Sequence, residues 1–435
     1  MMKLWQKEGN EAGEWSRIVE TFTVGRDLEF DILLAEHDVL GSLAHTQMLQ
    51  SIGLLTAEEL ASIHSGLNAI LEDIRAGRFS LEPGVEDVHS QVELQLTRSI
   101  GETGKKIHSG RSRNDQVLLD IKLFLRASLR QTAAHIQALF ERMQSLSEAH
   151  RERLLPGYTH FQIAMPSSFG LWFGAYAESL CDDMELLLAA FRIADKNPLG
   201  SGAGYGSSFP LQRKMTTELL GFSDLNYNVV YAQMTRGKAE KAVAMALSSV
   251  AATLSKLAYD VCLYMNQNFG FITFPDALTT GSSIMPHKKN PDVFELVRAK
   301  CNRIQALPNE LTLLTNNLPS GYHRDLQLSK EILFPAIAEM DNCLEMTEFM
   351  LRHIIVKDGI LDDEKYLHLF SVEAVNELVL AGLPFRDAYR QVGQAIEKGE
   401  FHAPAQLNHT HEGSIGRLCN EQIRVRMKGL MRSLG

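Results

Sequence analysis

The sequence has few cysteines, and none of them stands in a metal-binding or redox pattern. The five are scattered along 435 residues, and no pair has the CxxC spacing: Cys181, Cys262, Cys301, Cys343 and Cys419. An odd, scattered set argues against a disulfide framework and against a zinc cluster, and it favours a reducing compartment.

We also recognise no signal-peptide pattern and no membrane-spanning pattern in the sequence. The first fifteen residues contain no apolar core of signal-peptide length, and we recognise no later apolar segment as a membrane span. The protein is therefore predicted to be cytoplasmic. Its formal net charge, 43 − 53 = −10, disfavours nucleic acid or an anionic membrane as a general partner. A local basic pocket for an acidic substrate is compatible with that charge.

Glycine and proline are absent from several long stretches. Residues 111–155 contain neither, and they carry a heptad seam with alternating spacings of four and three. The seam consists of Leu125, Leu129, Thr132, Ile136, Leu139, Met143 and Leu146. A helix of this length would span roughly 65 Å.

Four further stretches behave alike, and no convincing alternating strands separate them. They are 167–197, 238–268, 291–318 with a bend expected at Pro308, and 324–356 with a kink expected at Pro335. The pattern predicts an all-α protein with a long five-helix bundle. Because 238–268 is apolar on nearly all sides, it favours burial in an oligomer. We expect three domains: 1–106, 107–356 and 357–435.

Four polar, glycine-containing segments lie between the predicted helices. KIHSGRSRNDQV (106–117) precedes a helix, where free backbone N–H groups favour anions, although a capped helix start explains it equally well. PGYTHFQ (156–162) is a turn that presents Thr159, His160 and Gln162. A lone histidine is more often structural than catalytic, but this one lies beside other polar loops.

The other two segments differ in what they indicate. NPLGSGAGYGSSFP (197–210) lacks GxGxxG spacing and a preceding strand, so a helix connection explains it better than a phosphate loop. TTGSSIMPHKKNPDVFE (279–295) combines a Gly-Ser-Ser turn, two lysines and an Asn-Pro-Asp helix start. It has no GxSxG elbow, and a mobile serine beside Lys288 suits a loop that closes over a substrate, although a surface loop remains the alternative.

This fourth segment resembles the signature GSSxMPxKxNP of the fumarase/aspartase superfamily, here at Gly281–Pro291. Five other segments resemble its argininosuccinate lyase family. They are EDVHSQVE (86–93), HSGRSRNDQ (108–116), PGYTH (156–160), LPSGYHRDLQLSK (318–330) and GLPFRDA (382–388). The likeness extends over about residues 20–390. It implies β-elimination of argininosuccinate to arginine and fumarate without a cofactor or metal. It also implies a homotetramer with a twenty-helix core and active sites shared between subunits.

The resemblance also implies roles by position. Ser282 would be the base, Lys288 and Asn290 would hold the carboxylate that becomes an enediolate, and His160 paired with Glu295 would assist the leaving nitrogen. The implied substrate-binding residues are Asp31, His89, Arg113, Asn114, Thr159, Arg236, Asn290, Tyr322, Gln327 and Lys330.

The chain departs from the family pattern at several places. His287 stands where glutamine is usual, Asp27 falls where a serine is usual, and MTRG (234–237) replaces SxRD and so loses an acidic residue. The N-terminal GGRF is missing, and the predicted C-terminal domain is short.

Three alternative functions follow from these patterns. The first is another superfamily lyase, above all adenylosuccinate lyase, although PGYTH replaces the GRTH expected there. The second is a catalytically silent, crystallin-like relative, against which the joint presence of Ser282, His160, Lys288 and Glu295 argues. A nucleic-acid module fits the negative charge poorly.

Overall fold

The computed structural model describes residues 14–404 and 406–434, and the prediction of an all-α fold is confirmed. The α-helices of the described residues are α1 (Glu14–Val24), α2 (Asp27–Asp31), α3 (Ala35–Ser51), α4 (Ala57–Arg75), α5 (Val88–Ile100), α6 (Arg113–Ala149), α7 (Phe169–Ala194), α8 (Arg213–Leu219), α9 (Val229–Met234), α10 (Lys238–Met265), α11 (Asp292–Ile304), α12 (Leu307–Thr315), α13 (Ser329–Leu351), α14 (Ser371–Leu380), α15 (Phe385–Glu397) and α16 (Asn420–Arg432). Short 3₁₀ segments connect several of them.

The long helices agree with the breaker-free stretches of the sequence. Six of the seven seam residues on α6 are buried, and Leu146 is half-buried. Helix α13 continues through Pro335. The stretch 291–318 is two helices, α11 and α12, because Pro308 lacks an amide hydrogen and is tolerated in the first turn of a new helix.

The prediction that no strands separate the helices is wrong. The described residues contain three two-stranded pairs: β1 (Leu154–Thr159) with β2 (Gln162–Ser168), β3 (Lys196–Asn197) with β4 (Asp224–Leu225), and β5 (Ile272–Thr273) with β6 (Ile355–Val356). The first and third pairs are antiparallel and the second is parallel. The hairpin β1–β2 was not predicted because it contains Pro156, Gly157 and Pro166, and proline and glycine are depleted in strands.

The chain divides into two compact units. Unit 1 comprises the described parts of 1–132, 186–248 and 304–339. One core of this unit lies among α3, α4 and α5, where Val39, Leu67 and Val92 are fully buried. Burial of each such side chain stabilises the folded state by about 1.5–3 kcal/mol. The packing of this core therefore fixes the ends of these helices and the polar residues they carry.

Unit 2 comprises the described parts of 133–185, 249–303 and 340–435. One of its cores joins α14 and α15 through Val375, Ala388, Val392 and Phe401. The hairpin β1–β2 belongs to this unit. The boundaries of the three predicted domains remain a prediction.

One described helix, α10, is long and apolar enough to cross a membrane by length and composition alone, which the sequence analysis did not recognise. Half of its most apolar window is buried inside the protein. The core helix of a soluble protein shows the same pattern, so the feature is weak as an indication of a membrane span.

Candidate functional site

A polar cavity of about 190 Å³ lies in unit 1. It is lined by Asp27, Asp31, Glu86, Asp87, His89, Arg113, Asn114, Val117, Arg236, Tyr322, Arg324, Gln327 and Lys330. Eight of the ten predicted substrate-binding residues are among them. Carboxylates and cationic side chains both line the cavity, so it suits a ligand that carries charges of both signs.

Helix α5 supplies the acidic edge of the cavity. Its N-cap is Asp87, whose carboxylate accepts a hydrogen bond from the Ser90 amide at 2.8 Å. A capping aspartate of this kind stabilises a helix by about 1 kcal/mol. The cap starts the helix at Val88, so that His89 lies in the first turn, beside the cavity.

Lys330 joins α13 to α2 at the bottom of the site. Its ammonium lies 2.7 Å from Asp31 and 2.8 Å from Asp27, and all three groups are largely buried. Burial opposes ionisation of Asp31, but Lys330 and His89 outweigh it and lower the pKa of that carboxyl. At Asp27, burial outweighs Lys330 and raises the pKa. A serine at position 27 would leave Lys330 with one acidic partner fewer.

Arg113 opens α6 and links it to α5. Its guanidinium lies 2.7 Å from Glu86 and donates to the Ser90 hydroxyl at 2.9 Å. The neighbouring Asn114 also lines the cavity. Arg113 and Asn114 thus line the cavity, and the anion-site interpretation of this segment stays a prediction.

The capped-helix interpretation of the same segment also applies, but with Ser112 before the helix, whose hydroxyl accepts from the Asn114 amide at 3.2 Å, and with Asp115 in the first turn. Its buried carboxylate accepts hydrogen bonds from the amides of Ser112, Gly200 and Gly202 at 2.9–3.1 Å. Burial is the main cause that raises the pKa of Asp115 to about 6, against these hydrogen bonds. The glycine-rich segment 197–210 thus binds a carboxylate of its own chain, as expected for a connection between helices.

Arg236 has a partner that the sequence analysis missed. Its guanidinium lies 3.2 Å from the Glu240 carboxylate, one helical turn further along, and donates to the Leu326 carbonyl at 2.9 Å. Both side chains are almost completely buried. Glu240 therefore supplies the acid that MTRG lacks, and the i, i+4 spacing from Arg236 is a signal that could have found it.

Five lining residues were not predicted to bind substrate: Asp27, Glu86, Asp87, Val117 and Arg324. Glu86, Asp87 and Arg324 stand inside the quoted segments EDVHSQVE and LPSGYHRDLQLSK. Gln327 was predicted, and its amide also donates to the carbonyls of Thr23 and Val24 at the end of α1.

The remaining six predicted residues belong to unit 2, and none of them lines this cavity. Thr159 pairs with Gln162 at the end of the hairpin β1–β2. His160 and Phe161 form its two-residue turn, with φ values of 54° and 59°. This left-handed geometry matches a type I′ turn and leaves the His160 side chain exposed.

The loop 279–291 carries Ser282, Lys288 and Asn290. An antiparallel bridge between Thr280 and Asn290 closes it, with the Asn290 amide donating to the Thr280 carbonyl at 2.8 Å. The half-buried Ser282 hydroxyl oxygen accepts hydrogen bonds from the amides of Ile284 and Met285, at 3.3 and 3.1 Å. Lys288 is exposed, as is Glu295 in the first turn of α11.

Known proteins resemble this chain in sequence and in fold. A family model described as lyase matches residues 11–306. The argininosuccinate lyase of Bacteroides fragilis is 61% identical over 426 residues, which cover 98% of this chain and 94% of that protein. The argininosuccinate lyase of Parabacteroides distasonis is 60% identical over 431 residues, covering 99% and 96%.

The chain belongs to the argininosuccinate lyase family. The resemblance inferred from the sequence motifs is thereby confirmed. A crystal structure of EDDS lyase in complex with formate aligns with a TM-score of 0.72 at 22% identity, covering 94% of this chain and 89% of that one. At this identity the likeness concerns the fold alone. The fold likeness agrees with the all-α fold class.

Proposed function

We propose that this protein cleaves argininosuccinate by β-elimination and releases L-arginine and fumarate. The observation that carries the proposal is the unit 1 cavity, which brings together Asp31, His89, Arg113, Asn114, Arg236, Tyr322, Gln327 and Lys330. These residues stand in separate segments of the sequence, and the resemblance had selected them for binding substrate. Family membership supports the same reaction.

The charges of the cavity suit this substrate. Argininosuccinate carries three carboxylates, an ammonium and a guanidinium, so its binding site needs donors and acceptors together. Arg113 and Arg324 offer fixed positive charges. Asp27 and Asp31 offer negative charge for the ammonium of the arginine end.

In the proposed mechanism the Ser282 alkoxide, formed when the hydroxyl proton passes to solvent, removes a proton from the succinyl Cβ. The two amides that donate to its hydroxyl oxygen would stabilise negative charge there, since hydrogen bonds to an ionised form favour it. The electrons of the C–H bond form the double bond of fumarate, and those of the C–N bond leave with the guanidinium nitrogen. His160, paired with Glu295, protonates or positions that nitrogen.

Lys288 and Asn290 stabilise the intermediate in this proposal. They would hold the carboxylate that becomes an enediolate when the Cβ proton departs. A preorganised donor of this kind contributes about 3–4 kcal/mol to catalysis. The reaction uses no cofactor, because proton transfer and charge stabilisation are sufficient for it.

We further propose that subunit assembly completes the site in a homotetramer with a twenty-helix core. Large apolar side chains exposed on the long helices support this assembly: Met245 and Tyr259 on α10, Leu296 on α11, and Met346 and Phe349 on α13. Burial of apolar surface is the usual driving force for such association. Each active site would then take loops from three subunits: the cavity of one, the His160 turn of a second, and the loop with Ser282, Lys288 and Asn290 of a third. The proposal includes three domains (1–106, 107–356 and 357–435) and a cytoplasmic location.

Fumarate formation tests the proposed function directly. The purified protein is incubated with argininosuccinate or, separately, with adenylosuccinate, and fumarate is followed by its ultraviolet absorbance. We expect turnover of argininosuccinate alone, with arginine released in equal amount. Faster release of fumarate from adenylosuccinate would reassign the substrate, and no turnover of either would indicate a silent relative.

A further inference from the structure

A buried histidine lies between two carboxylates at the edge of the unit 1 cavity. The Nδ1 atom of His89 is 2.7 Å from an oxygen of Asp38 and 3.5 Å from an oxygen of Asp120. The exposed fractions of these three side chains are 7%, 2% and 1%. They come from three helices, α5, α3 and α6, so packing of the unit 1 core holds them together.

Both carboxylates face the same ring nitrogen, which orients the imidazole. The second nitrogen, Nε2, lies on the opposite side of the ring. His89 lines the cavity, and among the described residues no hydrogen bond to Nε2 is found. A ring held at Nδ1 in this way presents Nε2 to whatever occupies the cavity.

Resting on the proposed function, we propose that Asp38 and Asp120 are positioning residues that hold His89 as an imidazolium, so that its Nε2–H donates a hydrogen bond to a substrate carboxylate. An imidazolium has donors at both nitrogens, and its charge strengthens the bond to an anion. His89 then acts as a fixed cation in the binding site and exchanges no proton during turnover.

Electrostatics supports this protonation state. Burial lowers the pKa of His89, but the negative charges of Asp38 and Asp120 outweigh burial and raise it to about 10. Burial and Asp38 raise the pKa of Asp120 well above its usual range, and the positive charges of His89 and Arg111 oppose that shift. The other charged groups that act on His89 or Asp120 are Asp31, Asp87, His108 and Arg111.

A divalent cation is the alternative occupant of this cluster. The ligand atoms of Asp38, His89 and Asp120 lie within 4.8 Å of one another, as a metal site requires. However, both carboxylates also stabilise the positive charge of Arg111. His89 and Arg111 together balance the two carboxylates, whereas a divalent metal bound to a neutral His89 would leave one excess positive charge beside Arg111. The charge balance therefore favours the imidazolium.

Steady-state kinetics of Asp38→Asn tests the role of the carboxylate. Asparagine still accepts from Nδ1 but removes the charge, so the ring keeps its orientation and loses its extra proton near neutral pH. We expect KM for argininosuccinate to rise about tenfold or more while kcat changes less, since a charged hydrogen bond used for binding is lost. We also expect kcat/KM of the variant to decline relative to wild type as the pH rises above neutrality.

Two further variants sharpen the comparison. Asp120→Asn should show the same changes to a smaller extent, because its carboxylate is farther from Nδ1. Asp183→Asn is the matched control, since Asp183 is equally buried and accepts a hydrogen bond from Ser249 without contacting a histidine. Wild-type KM and pH dependence in Asp38→Asn would overturn the proposal, and so would equal changes in Asp183→Asn.

Nuclear magnetic resonance of the wild-type protein gives a readout that needs neither turnover nor a folded aspartate variant. With ¹⁵N-labelled histidine, and His89→Gln to assign the signal, both ring nitrogens of His89 should be protonated at about pH 8, where an ordinary histidine is neutral. A neutral ring would overturn the proposal, as would a ring that loses its proton on addition of Mg²⁺ or Zn²⁺. Absence of turnover in wild type would reject the proposed function while this result still stands.

Discussion

Ser282 is the residue whose removal bears most directly on the proposed chemistry. Its hydroxyl oxygen accepts from two backbone amides, and the loop is closed independently by the Thr280–Asn290 bridge. We expect Ser282→Ala to fold and assemble as wild type but to lose at least about 100-fold in kcat, the usual contribution of a general base. Fumarate absorbance and circular dichroism measure the two properties.

The adjacent Ser283 is the matched control for this change. It is exposed on the same loop, so Ser283→Ala should retain most activity. Comparable loss in both variants would indicate a general effect on the loop, and full activity in Ser282→Ala would remove Ser282 from the role of base.

Gly237 explains why the acid of the family pattern cannot simply be restored. Its φ is +75°, and a Cβ atom there would lie 2.6 Å from Cγ2 of Thr315. Both features oppose a side chain, so Gly237→Ala should lower the free energy of unfolding by about 1–3 kcal/mol. Denaturant titration measures this quantity.

Gly429 provides the opposite case for comparison. It lies within α16 with open space around its Cα, so Gly429→Ala should leave stability unchanged or raise it by up to about 1 kcal/mol. Equal destabilisation of the two variants would mean that the contact with Thr315 is unimportant.

Individual site residues were predictable where a motif selects them. Eight of the predicted binding residues line one cavity, and six of these eight stand in the quoted family segments. Glu240 was missed because its role depends on the turn of α10 that places it beside Arg236. The pairing of Asp38 and Asp120 with His89 was not predicted, because only packing of three helices brings these residues together.

At the scale of elements, a buried lysine joins α6 to the strands β3 and β4. The Lys122 ammonium donates to the Lys196 carbonyl at 2.9 Å and to the Asn226 side chain at 2.6 Å. Burial lowers the pKa of this lysine to about 7, with Glu240 opposing the shift. An unfolded chain would keep the ordinary value near 10.5.

This depressed pKa predicts how stability changes with pH. Between about pH 7 and 10.5 the unfolded state binds more protons at Lys122, so this residue stabilises the fold increasingly as the pH rises and loses that contribution as it falls. Relative to Lys122→Met, wild type should gain about 2 kcal/mol of unfolding free energy between pH 7 and 9. Urea titrations of both proteins at the two pH values would show it; a pH-independent difference would contradict the shift.

The helices could be predicted from the sequence more fully than the strands. The stretch of α6 contains no glycine or proline and carries a heptad seam. This pattern predicts a helix because apolar residues at helical spacing form one face that can be buried. The hairpin β1–β2 could not be predicted in this way. Its strands contain two prolines and a glycine, which are unfavourable in strands. Pairing of the two strands across the turn stabilises them, and no local sequence pattern predicts that pairing.

At the scale of the whole molecule, the proposal of shared sites predicts complementation between inactive variants. If one subunit supplies His160 and another supplies Lys288, a mixed tetramer of His160→Asn and Lys288→Ala chains contains some sites with neither change. Reassembly of an equal mixture should restore up to about one quarter of wild-type activity, the statistical share of intact sites in a symmetric oligomer.

Subunit exchange must be confirmed independently in this experiment. Mass spectrometry of differently labelled chains would report it, and each variant reassembled with itself is the control. Confirmed exchange without any recovered activity would place His160 and Lys288 in the same subunit at each site.

The turn of the hairpin β1–β2 shows what the molecule tolerates for its chemistry. His160 and Phe161 both adopt left-handed backbone angles, each of which costs about 1–3 kcal/mol for a residue with a side chain. Selection for durability alone would favour Asn-Gly at these two positions. Stability engineering guided by turn statistics would therefore replace His160 and Phe161 with Asn-Gly. The resulting protein would be more stable but would lack the proposed catalytic histidine.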